Sequence, residues 1–152
     1  MRHLLIILST FLFSFIIFSC GEKEESSNTT SSSPLFVSVG DNGTILTSSD
    51  ATTWTSRTSG TSNGLRGIAY GSTFVAVGES GTILTSSDGT TWTSKTSGTT
   101  DNLTGVTYGN STFVVVGASG TILTSSDATT WTSRTSGTSY QLKGVTFTEL
   151  TL

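Results

Sequence analysis

The chain has 152 residues, the length of one domain, yet 32 Thr and 27 Ser make up about 39% of it, and charged side chains only 11%. Its only His is His3 and its only Cys is Cys20, both in an apolar leader. Cys–His and Ser–His nucleophilic pairs, zinc sites with His or Cys ligands and disulfide stapling are therefore excluded from the remainder. The formal net charge is −3, and residues 21–152, which leave Arg2 behind, carry 6 basic and 10 acidic side chains, a poor surface for nucleic acid.

Met1-Arg2-His3 is a short basic start, and Leu4 to Phe18 is an apolar run broken only by Ser9, Thr10 and Ser14. That length suits the apolar part of a signal peptide better than a membrane-spanning helix. The run ends in Ile17-Phe18-Ser19-Cys20-Gly21, which resembles a bacterial lipobox, with Phe18 closer to the relaxed form of spirochaetes than to that of enterobacteria. The resemblance implies residues 1–20 as a lipoprotein signal peptide and Cys20 as the lipidated, mature N-terminus. With Gly21 rather than Asp next, it also implies export to the outer membrane, held through the lipid. Residues 21–34 are expected to be a disordered Ser/Thr/Glu tether, since Glu22 to Ser33 contains no apolar residue and has nothing to bury.

Residues 35–147 are three copies of one unit. Gly40, Gly78 and Gly117 recur at intervals of 38 and 39 residues, as do Trp54, Trp92 and Trp131. A period of that length announces a repeat architecture. In the middle copy, Leu65 to Tyr70 reads as strand A, Thr73 to Val77 as B, Thr82 to Ser86 as C and Thr91 to Thr96 as D, with Gly, Asn, Asp and Ser at the turns. Four strands in about 40 residues is the size of one β-propeller blade. The expected fold is all-β, with three four-stranded propeller-type blades of about 39 residues. The chain runs B-C-D, A-B-C-D, A-B-C-D and a final A from Leu142 to Phe147, twelve strands in all. Residues 148–152 are an atypical tail.

Three segments share one pattern. They contain Ser48, Asp50, Thr53 and Trp54; Ser86, Asp88, Gly89, Thr91 and Trp92; and Ser125, Asp127, Thr130 and Trp131. They resemble the Asp box of bacterial neuraminidase repeats, one residue shorter, with only Gly89 keeping its Gly. The following Trp-x-x-x-Thr-Ser-Gly is similar to the repeats of photosystem-assembly-factor-like propellers and of kelch-like bacterial lipoproteins. The resemblance implies that each Asp accepts backbone N–H groups across the C-to-D turn and that each Trp packs between neighbouring sheets.

It does not imply an activity. Sialidases need three clustered Arg, a Tyr/Glu nucleophile pair and an acid Asp, whereas Arg57 and Arg134 occupy equivalent positions, with Lys95 between them, and leave only Arg66. Asp50, Asp88 and Asp127 are one unit apart and read as structural. No catalytic residue, metal-ligand set or cofactor is assigned.

The copies differ at few places, and the differences cluster in the B-to-C turn and the D-to-A loop, which in a blade share one face. Asp41, Asn63, Arg66, Glu79, Asp101 and Tyr140 are the candidate binding residues there, for an unidentified protein or glycan. The expected function is thus a non-enzymatic, lipid-anchored binding scaffold of the cell envelope. The alternatives are a truncated or frameshifted propeller fragment without independent function, and a sialidase-like hydrolase. Three blades are few for a closed ring, so pairing of two chains into six blades is one route to closure.

Overall fold

The computed structural model describes residues 35–150; the expected signal peptide and lipidation at Cys20, the expected tether and the last two residues lie outside them. Eleven strands fall within the described residues. They are β1 (Phe36–Val39), β2 (Ile45–Ser48), β3 (Thr55–Arg57), β4 (Leu65–Tyr70), β5 (Phe74–Gly78), β6 (Ile83–Ser86), β7 (Thr93–Lys95), β8 (Leu103–Gly109), β9 (Thr112–Gly117), β10 (Ile122–Ser125) and β11 (Thr132–Arg134). They form three antiparallel meanders, β1-β2-β3, β4-β5-β6-β7 and β8-β9-β10-β11, one per repeat.

Strand alternation sends successive side chains to opposite faces, so the middle sheet contributes to two cores, one with each neighbour. Val75 and Val77 of β5 and Ile83 of β6 face the third sheet, where they meet Leu103, Phe113, Val115 and Leu123. Ala76 of β5 and Leu84 of β6 face the first sheet and meet Ile45, with Val37 and Val39 packed alongside. The apolar residues are few, but they are concentrated where two sheets face each other, and this is how so polar a chain builds a core.

Glycine sets how closely the sheets approach. A Cβ on Gly67 would stand 3.2 Å from the Gly105 Cα, and one on Gly105 would stand 3.3 Å from the Gly144 Cα, so the A segments of successive repeats pass backbone to backbone. Beside this stack, the Tyr108 ring lies on Gly71 and the Phe147 ring lies on Gly109.

Three expectations are corrected. The first sheet holds the three strands B-C-D expected of its stretch of chain, but Leu142–Phe147 is not a strand and adds no fourth to it, which makes eleven rather than twelve. The segment does occupy the A position: the Leu142 N–H donates to Gly117 O at 2.9 Å, and the Thr104 hydroxyl donates to Leu142 O. Among the described residues no B strand pairs with it, and a ladder needs two strands. Strand D is also shorter than expected, Thr93–Lys95 instead of Thr91–Thr96, because the Thr91 N–H is taken by the Asp88 carboxylate. Finally, Trp92 and Trp131 pack into the two inter-sheet cores, but Trp54 is 42% exposed, with no earlier sheet among the described residues to receive it.

Candidate functional site

Each B-to-C turn reverses the chain in four residues. Asn42 and Gly43 have φ of 55° and 66°, and the Thr44 N–H donates to Asp41 O at 3.1 Å. Two central residues of positive φ make a type I′ turn, for which Asn-Gly is the favoured pair. Ser80-Gly81 and Ser119-Gly120 adopt the same geometry.

The D-to-A loops lie against these turns. In each loop a serine hydroxyl (Ser59, Ser97, Ser136) donates to the carbonyl two residues on, at 3.0 to 3.1 Å, folding the loop over a glycine of positive φ. Asn63 Nδ2 then donates to Thr82 Oγ1 at 2.8 Å, and the Thr121 hydroxyl donates to Asp101 Oδ2 at 2.9 Å. Each bond joins a loop to the first residue before strand C of the next sheet. Tyr140 holds the equivalent place in the third loop and is 81% exposed.

Arg66 sits at a bulge, where the β4–β5 register shifts between Leu65 and Gly67. A bulge re-aims the side chain it carries, and here the guanidinium pairs with Glu79. The other Glu79 oxygen accepts the Gly64 N–H at 3.1 Å. That backbone donor, and then Arg66, hold the Glu79 carboxyl below the usual glutamate range. The Asp41 carboxylate is close by, 3.3 Å from where a Gly64 Cβ would stand. Asp41, Asn63, Arg66 and Glu79 therefore form one group between the first two sheets. Asp101 belongs to the equivalent group between the second and third, and Tyr140 stands at the end of the row.

The opposite ends of the sheets carry the C-to-D turns. Asp50 Oδ1 accepts the N–H groups of Thr52 and Thr53, both at 2.8 Å, and the Ser48 hydroxyl at 2.9 Å. Asp88 accepts from Thr90, Thr91 and Ser86 at 2.7, 2.8 and 3.0 Å, and Asp127 from Thr129, Thr130 and Ser125 at 2.8, 2.8 and 2.9 Å. Led by the backbone N–H groups of Thr53, Thr91 and Thr130, these donors favour the charged form. Asp50 and Asp88 are held far below the usual aspartate range, and Asp127 at about 2. Carboxylates of this kind fix turns and are poorly suited to accept a proton near neutral pH.

The three arginines among the described residues do not converge: Arg57 Nε donates to Thr47 Oγ1 at 2.8 Å, Arg134 Nε to Thr124 Oγ1 at 2.9 Å, and Arg66 is with Glu79. Among the described residues, no group of three or more His, Cys, Asp or Glu side chains stands together.

Sequence reasoning treated the variable loop residues as free for binding and missed that Asn63, Asp101 and Glu79 tie sheets and loops together. It also missed Asn102, whose Oδ1 accepts the Ser80 N–H at 2.9 Å. The signal was present in Thr82 and Thr121, invariant partners one sheet on.

This architecture has a counterpart among solved structures. YCF48 bound to D1 peptide, a β-propeller, superposes on 67% of this chain with a TM-score of 0.58 at 20% sequence identity. The fold is a partial β-propeller. No family model and no curated protein matches the sequence. The three blades span 36% of the length of the YCF48 chain, so the likeness is to part of that propeller. Placed on the propeller, the B-to-C turns and D-to-A loops share one face and the C-to-D turns the other.

Proposed function

We propose that the chain is a non-enzymatic binding scaffold of the cell envelope, an Asp-box propeller-repeat lipoprotein held to the outer membrane through lipid on Cys20. It presents its loop face to a peptide or protein, or to a glycan. One observation carries the reading: side chains that change in charge between near-identical blades gather on a single face, at Asp41, Arg66 and Glu79, with Tyr140 in the same row. The near-invariant Asp-box turns lie at the other end. Of these residues, Tyr140 and Asp41 are exposed, and the Arg66 and Glu79 side chains are each more than a third exposed. They offer an aromatic ring and paired charges to an incoming backbone or sugar. The solved propeller with a bound peptide supports a peptide as the first ligand class to try.

The test is a screen of the full-length protein against peptide and glycan libraries, followed by Tyr140→Ala and Arg66→Ala on each hit. Loss of binding in these variants, with retention in Thr129→Ala on the far face, is the expected result. A hit indifferent to Tyr140 and Arg66 would overturn the assignment of the face. Glycoside turnover that co-purifies with the chain would overturn the non-enzymatic reading.

A further inference from the structure

The two inter-blade cores repeat a single pairing of surfaces. One surface is formed by Val37, Val39 and Ile45 in the first blade and by Val75, Val77 and Ile83 in the second. The surface it receives is formed by Leu84 and Trp92 in the second blade and by Phe113, Leu123 and Trp131 in the third. By strand alternation and the repeat, the third blade carries a copy of the first surface at Val114, Val116 and Ile122 that no sheet among the described residues faces, with Val116 itself buried and Val114 and Ile122 half-buried. The first blade carries a copy of the second, at Phe36, Leu46 and Trp54, likewise faced by no sheet among the described residues. The contrast in exposure is large: Phe36 is 49% exposed, where its equivalent Phe113 is 1% exposed.

Two further features are left incomplete at the same places. β1 is the edge of a three-stranded sheet, and Leu142–Phe147 is held in the A position beside the third blade without a strand to pair with. The charges match as well. Arg66, at the bulge of β4, pairs with Glu79 at the head of its B-to-C turn. Counting by the repeat, Lys143 stands where Arg66 does and Asp41 where Glu79 does, whereas the third blade has uncharged Thr104 and Ala118 at these places.

We propose that a second copy of this chain fills both gaps, head to tail. Leu142–Phe147 of one copy adds to the β1 edge of the other as its fourth strand. The register follows from β4 on β5, in which Leu65 faces Gly78, Gly67 faces Val77, Ile68 faces Ala76 and Tyr70 faces Phe74. Leu142 then faces Gly40 of the second copy, Gly144 faces Val39, Val145 faces Ser38 and Phe147 faces Phe36, with Lys143 bulged toward Asp41. Trp54 of the second copy seats against the third blade of the first, as Trp92 seats against the first blade within the chain. A contact of this heterologous kind forms a ring when its rotation closes, and two copies supply six blades. Asp41 belongs to the ligand face as well, so the test reads mass and cross-linking without ligand, which keeps a failure of this inference distinct from a failure of the ligand reading.

The experiment uses the full chain in detergent. Sedimentation is expected to give a two-copy mass, with Lys143→Glu and Asp41→Lys each raising the dissociation constant on the order of tenfold. The double variant Lys143→Glu/Asp41→Lys should restore it. With Cys20→Ala removing the native thiol, chains bearing Ser38→Cys mixed with chains bearing Val145→Cys should form a disulfide dimer, and neither variant alone should. A full chain that stays monomeric at tens of micromolar overturns the proposal, as does a double charge variant no better than the singles. A Ser38→Cys/Val145→Cys double variant that closes only within its own chain overturns it equally.

Discussion

Gly81, at the second central position of its type I′ turn, has φ of +69° and is buried. A Cβ there would overlap the Thr99 carbonyl oxygen outright and stand 2.8 Å from Ser97 Oγ and 2.9 Å from the Thr99 carbonyl carbon. Gly98, in the loop that follows, has φ of +79° with nothing within 4 Å of its would-be Cβ. The pair separates conformational strain from overlap. Gly98→Ala places a side chain in the left-handed region, costing about 1–2 kcal/mol, of which the stiffer unfolded chain returns about 0.4–1 kcal/mol. A net loss of about 1 kcal/mol is expected. Gly81→Ala carries the same strain and must also push the Thr99 backbone aside, for which overpacking data suggest about 1–3 kcal/mol. The shift also breaks the 2.9 Å bond from the Gly81 N–H to Asp101 O, a further loss of about 1 kcal/mol. Urea denaturation of the purified protein, followed by tryptophan fluorescence, should therefore show Gly81→Ala less stable than Gly98→Ala by about 2–4 kcal/mol. Two variants within about 0.5 kcal/mol of each other would refute the claim that loop and turn are locked by contact at this glycine.

Three more outcomes follow from equivalent positions that differ. Trp92 Nε1 donates to Gly89 O at 3.1 Å, whereas the buried Trp131 Nε1 has no partner; Trp92→Phe should cost about 1–2 kcal/mol more than Trp131→Phe in the same urea experiment. Ser80 holds a φ of 52° where the first repeat has Asn42, so Ser80→Asn should raise stability by about 0.5–1 kcal/mol in a thermal melt. The C-to-D turn carboxylates titrate lower in the folded chain than in the unfolded one, so their stabilisation is complete above about pH 4 and is lost as pH falls. For Asp127 the loss runs down toward pH 2, and Asp127→Asn should flatten the fall of the urea midpoint between pH 4 and pH 2; a slope identical to the parent would contradict the turn's charge dependence.

Strands A, B and C were legible because β-branched and aromatic residues alternate there between glycine-bounded turns, and β4, Leu65–Tyr70, falls where its residues predict. Strand D was overread. Thr90 and Thr91 have strand-forming side chains, but their N–H groups answer to a carboxylate two and three residues back rather than to a neighbouring strand. Leu142–Phe147 reads as a strand for the same local reasons as β4, and only a partner makes such a segment one. The loop face was located by sequence variation, yet the division of its residues was hidden. Asn63 and Asp101 differ in charge and do the same work, one donating to a threonine hydroxyl and the other accepting from one, so comparing the loops alone makes a joint look like a variable surface.

The glycine stack at Gly67, Gly105 and Gly144 has a genetic consequence. Because both inter-blade cores are made by the same pair of surfaces, and the same close backbone approach joins the second blade to the third and the third to Leu142–Phe147, duplication or loss of one whole repeat leaves no junction of a new kind. The one-residue difference between the copies, 38 against 39, falls in the A-to-B turn, Gly71-Ser72 against Gly109-Asn110-Ser111, and leaves the stack in line. The array is free to change its number of units and the length of its turns but not the place of its glycines within strand A, which suits a gene that evolves by unequal recombination between its own copies.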